Sequence, residues 1–322
     1  MLAFLMRRIL ASALLVFALL TLVFFVIHLA PGDPLERFLE PDVDPQMLES
    51  LRERFGFDAP LPVQYVRWLR AVLIDFDFGI SVAAQRPVRD LVEQALPNTL
   101  RLGFWALCVR FALGIVLGTW AAVRRGRWTD SALRVGALLV YSLPGFWLGI
   151  MLLLVFAWNL HWFPPGQMHS LDHASLGFSA RRFDEARHLF LPLVVLGLGG
   201  AASTLRFMRA GLLEVLSQDY VRAARAKGLR ERTVVLKHAM RNALLPVVTQ
   251  LGLSLPGLVG GTIVIEHVFS WPGMGTLTLD AIAQRDYPVI LATTFLSGVV
   301  VVVGNLISDV TYATLDPRIR LE

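Results

Sequence analysis

Long apolar stretches without charged residues constrain this chain more than any other feature of its sequence. The run Ile9–Leu29 contains 21 residues and no formal charge. At about 1.5 Å per residue, a helix of that length crosses a hydrocarbon core of about 30 Å. The run follows Arg7 and Arg8, but it exceeds the apolar part of a signal peptide, and PGDP rather than a small-residue cleavage site follows it. We therefore expect a retained membrane anchor.

Hydropathy along the whole chain predicts an all-α membrane protein with six transmembrane helices. The predicted spans are Ile9–Leu29, Thr99–Val123, Ala132–Trp158, Leu189–Leu205, Leu244–Val264 and Val289–Tyr312. Pro144, Pro192 and Pro256 are expected to interrupt the third, fourth and fifth spans, which is tolerated where neighbouring helices or cavity water satisfy the freed carbonyls. Gly114-x-x-x-Gly118 has the small-residue spacing that lets two helices approach closely.

Basic residues are concentrated in alternate connections between the spans. Segment 124–130 has three Arg and one Asp, segment 206–243 has nine Lys or Arg against three acids, and segment 30–98 has seven Arg against twelve acids. Cytoplasmic segments retain Lys and Arg, so both termini and the first two segments are expected in the cytoplasm. The predicted regions are a first transmembrane helix in 1–30, an extracytoplasmic cap in 31–96, a five-helix core in 97–313 with a cytoplasmic loop at 217–243, and a cytoplasmic tail in 314–322.

Loop 217–243 combines small residues with positive charges. In VRAARAKG (221–228) the basic residues Arg222, Arg225 and Lys227 surround three alanines and a glycine. Gly228 is able to adopt positive φ and end a short helix, and ERTVVLKHAMRN (231–242) predicts a second, amphipathic one. Charge alone fits a topology-setting loop that touches anionic lipid. The small residues favour a surface for close docking of another protein.

This stretch resembles the EAA loop of ABC-importer membrane subunits. Ala223, Ala224 and Gly228 match the pattern, and Leu245-Pro246 supplies its later Leu-Pro pair. Arg222 stands where the general pattern has Glu, as in the peptide-importing branch. Other segments resemble DppB/OppB-type permease subunits in the same order along the chain: PGDP (31–34), LPNTLRLG (96–103), AAVRRG (121–126), SLPGFWLG (142–149), FSWPGMG (269–275), RDYPV (285–289) and DPRIR (316–320).

The resemblance implies a type I ABC importer permease fold in the bacterial inner membrane. The implied function is import of dipeptides or oligopeptides, with nickel complexes, glutathione and peptide-like antibiotics as alternative cargo. The implied partners are a homologous second permease in a heterodimer, one or two cytoplasmic ATPase subunits and an extracytoplasmic peptide-binding protein. The residues expected to contact the ATPase are Tyr220, Arg222, Ala223, Ala224, Arg225, Ala226, Lys227, Gly228 and Leu229.

The sequence also predicts what the chain does not do itself. It contains no G-x-x-x-x-G-K-[ST] phosphate loop, so ATP and Mg are expected on the partner ATPases and the chain is not expected to be an enzyme. No catalytic residue or metal site is predicted, because His169-x3-His173 sits among loop-forming residues. The basic pI of about 9.9 is attributed to cytoplasmic loops rather than to nucleic-acid binding. A self-sufficient secondary transporter is the alternative, disfavoured because no internal repeat is evident.

Two further sites are predicted within or beside the membrane. Arg110 lies deep in the second predicted span, where a charge costs at least about 2.5–3.5 kcal/mol. It is expected to attract a peptide carboxylate in the translocation path, to pair with an acid on the partner permease, or to snorkel outward. In FSWPGMG, the outer turn formed by Trp271, Pro272, Gly273 and Gly275 fits either a rigid connector at the aromatic belt or a gate contacting the binding protein.

Overall fold

The computed structural model describes residues 2–29, 58–260 and 262–315, and within these ranges the chain is helical apart from turns and one isolated bridge between Ile80 and Pro87. PGDP (31–34) and DPRIR (316–320) lie outside the described residues. The helices are α1 (Leu2–Leu29), α2 (Leu61–Arg70, continued by the π-helical turn Ala71–Asp75), α3 (Val88–Val123), α4 (Trp128–Ser142), α5 (Gly145–Leu152, continued by Leu153–Asn159), α6 (Phe178–Leu216), α7 (Asp219–Ala226), α8 (Glu231–Thr233, continued by Val234–Ala239 and Met240–Ala243), α9 (Leu245–Ser254), α10 (Gly257–Gly260), α11 (Ile263–Val268), α12 (Met274–Ala283) and α13 (Tyr287–Leu315).

Four helices in the described part of the chain are long and apolar enough to cross a bilayer. They contain the segments Met6–Leu29, Val88–Val123, Phe178–Leu216 and Tyr287–Asp309. A fifth span results if α4 and Gly145–Asn159 are counted together, although the two are bent by 99°. The bend falls at Leu143-Pro144, because proline disfavours helical backbone in the residue before it. The predicted interruption at Pro144 is confirmed.

Two spans are longer than hydropathy predicts. α3 has 36 residues and begins 11 residues before Thr99, and α6 has 39 residues and extends beyond Leu189–Leu205 at both ends. Their terminal turns are rich in charged residues, which lower the hydropathy without disfavouring a helix. The predicted interruption at Pro192 is wrong, because this buried proline lies inside continuous α6.

The fifth predicted span is not a single helix. Where the sequence predicts a helix over Leu244–Val264, the structure has α9, α10 and α11 in succession. Leu255 and Pro256 separate α9 from α10, and Gly257 and Gly260 are the first and last residues of α10. Glycine loses more conformational entropy than other residues in a helix, and proline removes a backbone donor. The helix over 245–260 is therefore broken at Leu255-Pro256, as the proline-glycine content indicated.

The chain forms two compact units, one within Met1–Thr99 and Pro272–Val302 and the other within Leu100–Trp271 and Val303–Glu322. In the first, Phe24 of α1 is buried and stacks on Trp68 of α2 with a ring separation of 5.3 Å. The buried Asp286 carboxylate accepts hydrogen bonds from the Ser81 hydroxyl at 2.5 Å and the Ala83 N–H at 3.0 Å. These contacts tie the segment before α3 to the start of α13.

In the second unit, α3 and α6 cross with almost no side chain between them. A Cβ at Gly114 would lie 2.4 Å from the Thr204 Cβ, and one at Gly118 would lie 2.7 Å from the Leu205 carbonyl oxygen. Real side chains cannot approach so closely, so both positions require glycine. The predicted close helix contact through Gly114-x-x-x-Gly118 is confirmed.

Candidate functional site

Loop 217–243 folds into α7 and α8, joined by a turn at Gly228. Gly228 has a φ of +78°, a left-handed conformation that glycine adopts without steric cost. Its N–H donates to the Arg225 carbonyl oxygen at 2.9 Å, and the Leu229 N–H donates to the Ala224 carbonyl oxygen at 3.4 Å. These bonds close the C-terminal end of α7, as the sequence predicted for Gly228.

α7 has one buried face and one exposed face. Val221 and Ala224 are 0% and 7% exposed, and their spacing of three residues puts them on the same side of the helix. They belong to a hydrophobic cluster, here termed the loop core, that consists of Phe111, Ala122, Met208, Leu212, Val215, Val221, Ala224, Val234, Val235, Ala239, Ala243 and Val247. Ala224 therefore packs inside the chain, and Ala223, Ala226 and Gly228 form the small-residue surface that is exposed.

A two-bond ion pair braces the turn between α7 and α8. The Arg225 guanidinium donates to both carboxylate oxygens of Glu231, at 3.1 and 2.7 Å. Hydrogen bonds from Arg225 hold the pKa of Glu231 below its usual range, and the carboxylate raises the pKa of Arg225. Both side chains remain substantially exposed, so the pair fixes the local geometry more than it adds stability.

The other polar residues of α7 are oriented by short contacts within the loop. Arg222 donates to the Ser217 carbonyl oxygen at 2.9 Å and lies 3.4 Å from the Asp219 carboxylate. The Tyr220 hydroxyl accepts a hydrogen bond from the Asn242 amide at 2.8 Å. Arg222 and Tyr220 are exposed, as are Lys227 and Leu229. The exposed alanines are thus surrounded by basic and aromatic side chains held in defined positions.

A buried ion pair that the sequence analysis did not anticipate lies next to this loop. The Asp130 side chain is 2% exposed and accepts two hydrogen bonds from the Arg209 guanidinium, both at 2.8 Å. The Gly126 N–H donates to the same carboxylate at 3.1 Å. The pair fastens segment 124–130 to α6 just before the loop core. The only signal in the sequence was one acid, Asp130, at the end of a basic connection.

Arg110 lines a cavity of about 470 Å³ bounded by α3, α6 and α9. Its Nε lies 3.4 Å from the Thr204 hydroxyl, a long hydrogen bond, and its guanidinium carbon lies 5.2 Å from the Phe111 ring centre. Among the described residues no carboxylate forms an ion pair with Arg110. The side chain lies across Gly200, where an added Cβ would be 2.4 Å from the Arg110 Cδ. The cavity therefore contains an accessible cation at membrane depth.

The outer turn FSWPGMG is mostly packed inside the protein. Trp271 is 1% exposed and packs against Leu102 and Leu189. Gly273 and Gly275 are buried, whereas Pro272 is exposed, and its carbonyl oxygen accepts a hydrogen bond from the Asn98 amide at 2.8 Å. This packing favours a rigid connector. A gating role for this turn stays a prediction.

His173, in the segment between α5 and α6, pairs with two carboxylates of α6. The His173 Nδ1 lies 3.0 Å from the Asp184 carboxylate, its Nε2 lies 3.6 Å from Glu185, and the His169 ring stacks on it at 4.6 Å. The His188 Nδ1 lies 2.9 Å from the Asp184 carbonyl oxygen. Over residues 58–260 and the other described ranges, no three His, Cys, Asp or Glu side chains are placed to hold a metal ion. His173 thus attaches the segment between α5 and α6 to α6, whereas His188 bonds within α6 itself.

The geometry defines an all-α, multi-pass membrane protein whose basic loop presents small residues on its surface and packs its other face into a core formed by two long spans. The chain belongs to the family of binding-protein-dependent transport system inner membrane components, which matches residues 114–321. The N-terminal family of the same transport systems matches residues 1–103. The chain is therefore the permease component of an ABC importer, located in the inner membrane.

Two named relatives align with almost the whole chain. It is 40% identical over 321 residues to the oligopeptide transport system permease protein AppB of Bacillus subtilis (strain 168), covering 99% of this chain and 100% of AppB. It is 39% identical over 320 residues to the glutathione transport system permease protein GsiC of Escherichia coli (strain K12), covering 99% of each. A chain of the MetNI methionine ABC transporter, in inward-facing conformations, matches with a TM-score of 0.51 at 19% identity, over 69% of this chain and 97% of its own. This last likeness concerns the fold alone.

Proposed function

We propose that the chain pairs with a homologous second permease, and that the two form a path for dipeptides or oligopeptides delivered by an extracytoplasmic binding protein. The peptide cargo is supported by the similarity to AppB, which extends over 99% of this chain. The similarity to GsiC supports glutathione as the main alternative. Nickel complexes and peptide-like antibiotics are further alternatives for the same machinery.

The proposed topology has six spans with both termini in the cytoplasm. α1, α3, α6 and α13 provide four spans, the bent pair α4–α5 a fifth, and the broken series α9 to α11 the sixth. The excess of Lys and Arg in segment 206–243 supports its cytoplasmic location. Residues 31–96 would then lie outside, together with the first turns of α3.

ATP hydrolysis is assigned to one or two cytoplasmic ATPase subunits that bind Mg and ATP. The observation that carries this proposal is the exposed face of α7, where Ala223, Ala226 and Gly228 leave a flat area beside Arg222 and Lys227. Small side chains let another backbone approach closely, and the surrounding charges orient the partner. α7 acts as a coupling helix, because its opposite face belongs to the loop core and any movement of α7 is transmitted to α3 and α6.

Bulky substitutions on the two faces of α7 test this assignment. Ala226→Trp adds a large side chain to the exposed face, so it should abolish co-purification of the ATPase subunits while the chain remains stable. Ala224→Trp overfills the loop core and should destabilise the chain itself by about 1–3 kcal/mol or more. Ala210→Trp, at an exposed position outside the loop, is the control. Normal ATPase binding and uptake by Ala226→Trp would exclude α7 as the docking helix.

Reconstitution distinguishes the proposed importer from a secondary transporter. In liposomes that contain this chain, the second permease and the ATPases, uptake of a radiolabelled peptide should require both ATP and the binding protein. Collapse of ion gradients should leave that uptake intact. Uptake by this chain alone, driven by an ion gradient, would contradict the proposal.

A further inference from the structure

The cavity beside Arg110 is lined by two residues, Arg110 and Gln250, whose polar groups lack adequate partners in the described parts of the chain. The terminal nitrogens of Arg110 form no hydrogen bond there, and its Nε has only the 3.4 Å contact with Thr204. The Oε1 of Gln250 is buried and has no hydrogen-bond partner among the described residues, whereas the Gln250 amide nitrogen donates to the Ser203 hydroxyl at 2.8 Å. Buried polar atoms of proteins are nearly always hydrogen-bonded. An orphan acceptor and an under-used cation in one cavity therefore point to a ligand.

The other residues that line the cavity carry no charge, and they are small or apolar apart from Ser254 and Thr262. The hydroxyl of Ser254 donates to the Gln250 carbonyl oxygen at 2.7 Å, and that of Thr262 donates to Glu266 at 2.8 Å. Arg110 and Gln250 Oε1 thus remain to determine what binds. The volume of about 470 Å³ falls within the usual range for small-ligand sites of about 300–1,000 Å³.

The two groups together select a specific combination of ligand atoms. A guanidinium binds a carboxylate through two parallel N–H bonds, and an amide oxygen accepts one N–H donor. The last residue of a peptide carries both, because its own amide N–H lies on the same Cα as its α-carboxylate. Glutathione ends in the same way, whereas a nickel complex need not carry this pair.

We propose that this cavity recognises the C-terminal residue of the transported peptide, with its α-carboxylate on Arg110 and its amide N–H on Gln250 Oε1. The proposal rests on the proposed function as a peptide permease. Gly200 is the positioning residue, since only the absence of a Cβ lets the Arg110 side chain lie along α6.

The test compares peptide ends in the complete reconstituted transporter. Uptake of a peptide with a free C-terminus is compared with uptake of its C-terminal amide, both at concentrations that saturate the binding protein, whose affinity for each is measured separately. The wild type should take up the free acid at least about 10-fold faster, because hydrogen bonds to charged groups are the stronger ones. Arg110→Gln should lower uptake of the acid much more than uptake of the amide, so that the wild-type preference for the free acid disappears.

Gln250 is tested with peptides that lack the final N–H. A peptide that ends in proline has no N–H on its last residue, so the wild type should transport it more slowly than the same peptide ending in alanine. Gln250→Leu should remove this difference. Equal wild-type rates for the two peptides would overturn the role of Gln250.

Alanine substitutions at Gly200 and Gly199 distinguish a loss of peptide recognition from general damage to α6. Gly200→Ala keeps every polar group but puts a Cβ 2.4 Å from the Arg110 Cδ, whereas a Cβ at Gly199 meets nothing within 4 Å. Gly200→Ala should lose the preference for the free acid and Gly199→Ala should keep it. Normal peptide uptake without any preference in the wild type would overturn this inference and leave the peptide permease intact. Absence of ATP-dependent peptide uptake would instead refute the proposed function.

If Arg110 pairs with an acid of the partner permease, Arg110→Gln should weaken assembly of the two permeases and lower uptake of acid and amide equally. If Arg110 contacts lipid phosphate, the substitution should change neither the assembly of the two permeases nor the ratio of acid uptake to amide uptake. Either result would overturn the assignment of Arg110 to the peptide carboxylate.

Discussion

Gly118 on α3 provides a direct test of the helix contact that supports both proposed sites. A Cβ at this position would lie 2.7 Å from the Leu205 carbonyl oxygen and 2.8 Å from the Met208 Cβ. Neither obstacle can rotate away, so in Gly118→Ala α3 and α6 must separate by roughly 0.7 Å to regain ordinary van der Waals distance. Overpacking of this kind costs about 1–3 kcal/mol, and packing is the main force between helices in lipid.

Gly136 on α4 is the matched control, because a Cβ there meets nothing within 4 Å. Both substitutions gain the same helix propensity, about 0.5–1 kcal/mol, so the difference between the variants isolates the steric cost. We expect Gly118→Ala to be about 1–3 kcal/mol less stable than Gly136→Ala. The assay is unfolding of the purified chain by SDS in mixed micelles, followed by tryptophan fluorescence. Equal stability of the two variants would refute the close approach of α3 and α6.

Two charged contacts make further predictions in the same assay. Asp130→Asn should destabilise the chain by about 2–3 kcal/mol, because Arg209 loses a charged partner that accepts two hydrogen bonds. The control is Arg134→Gln, which removes only an exposed guanidinium 3.5 Å from Asp130 and should change the stability by no more than about 0.5 kcal/mol. Equal losses of stability in the two variants would argue against a buried Asp130–Arg209 pair. The pKa of Glu231 is lowered in the folded state, so its ion pair stabilises the fold above the ordinary carboxyl pKa and loses this contribution as pH falls through the lowered pKa. Wild type and Glu231→Gln should differ by at most about 1 kcal/mol at neutral pH, and their stabilities should converge as the pH falls through the lowered pKa of Glu231; a difference that persists in acid would contradict the pairing.

Apolar segments could be predicted from the sequence, but the extent and continuity of the helices could not. Hydropathy locates α1 and α13 because lipid-facing residues must be apolar over a defined length. It places the ends of α3 and α6 wrongly, because charged turns outside the bilayer remain helical. Pro144 breaks a helix and Pro192 does not, although both stand in apolar surroundings. The difference depends on tertiary packing around each proline, which a single sequence does not contain.

In the candidate sites too, some features could be predicted from the sequence and others could not. The turn at Gly228 could be predicted because glycine is the residue that enters the left-handed region without strain. The inward orientation of Ala224 could not, because it depends on how α7 is rotated against the loop core. Asp130 and Arg209 are 79 residues apart, and no local pattern pairs them. Arg110 was evident as a charge inside a span, whereas its companion Gln250 lacks any such signal.

The loop core and the cavity are built on the same two helices, so the proposed coupling helix and the proposed peptide site are both connected to α3 and α6. α3 contributes Arg110 to the cavity, and it contributes to the loop core the adjacent Phe111 and also Ala122, about 18 Å from Arg110 along the helix at about 1.5 Å per residue. α6 spans the same interval between Gly200 and Leu212. Because Gly118 holds the two helices together between these points, displacement of α7 should move both cavity walls as one body. The complete transporter carrying Gly118→Ala should therefore hydrolyse more ATP per peptide imported than the one carrying Gly136→Ala, and an unchanged ratio would mean that movement reaches the cavity through other helices.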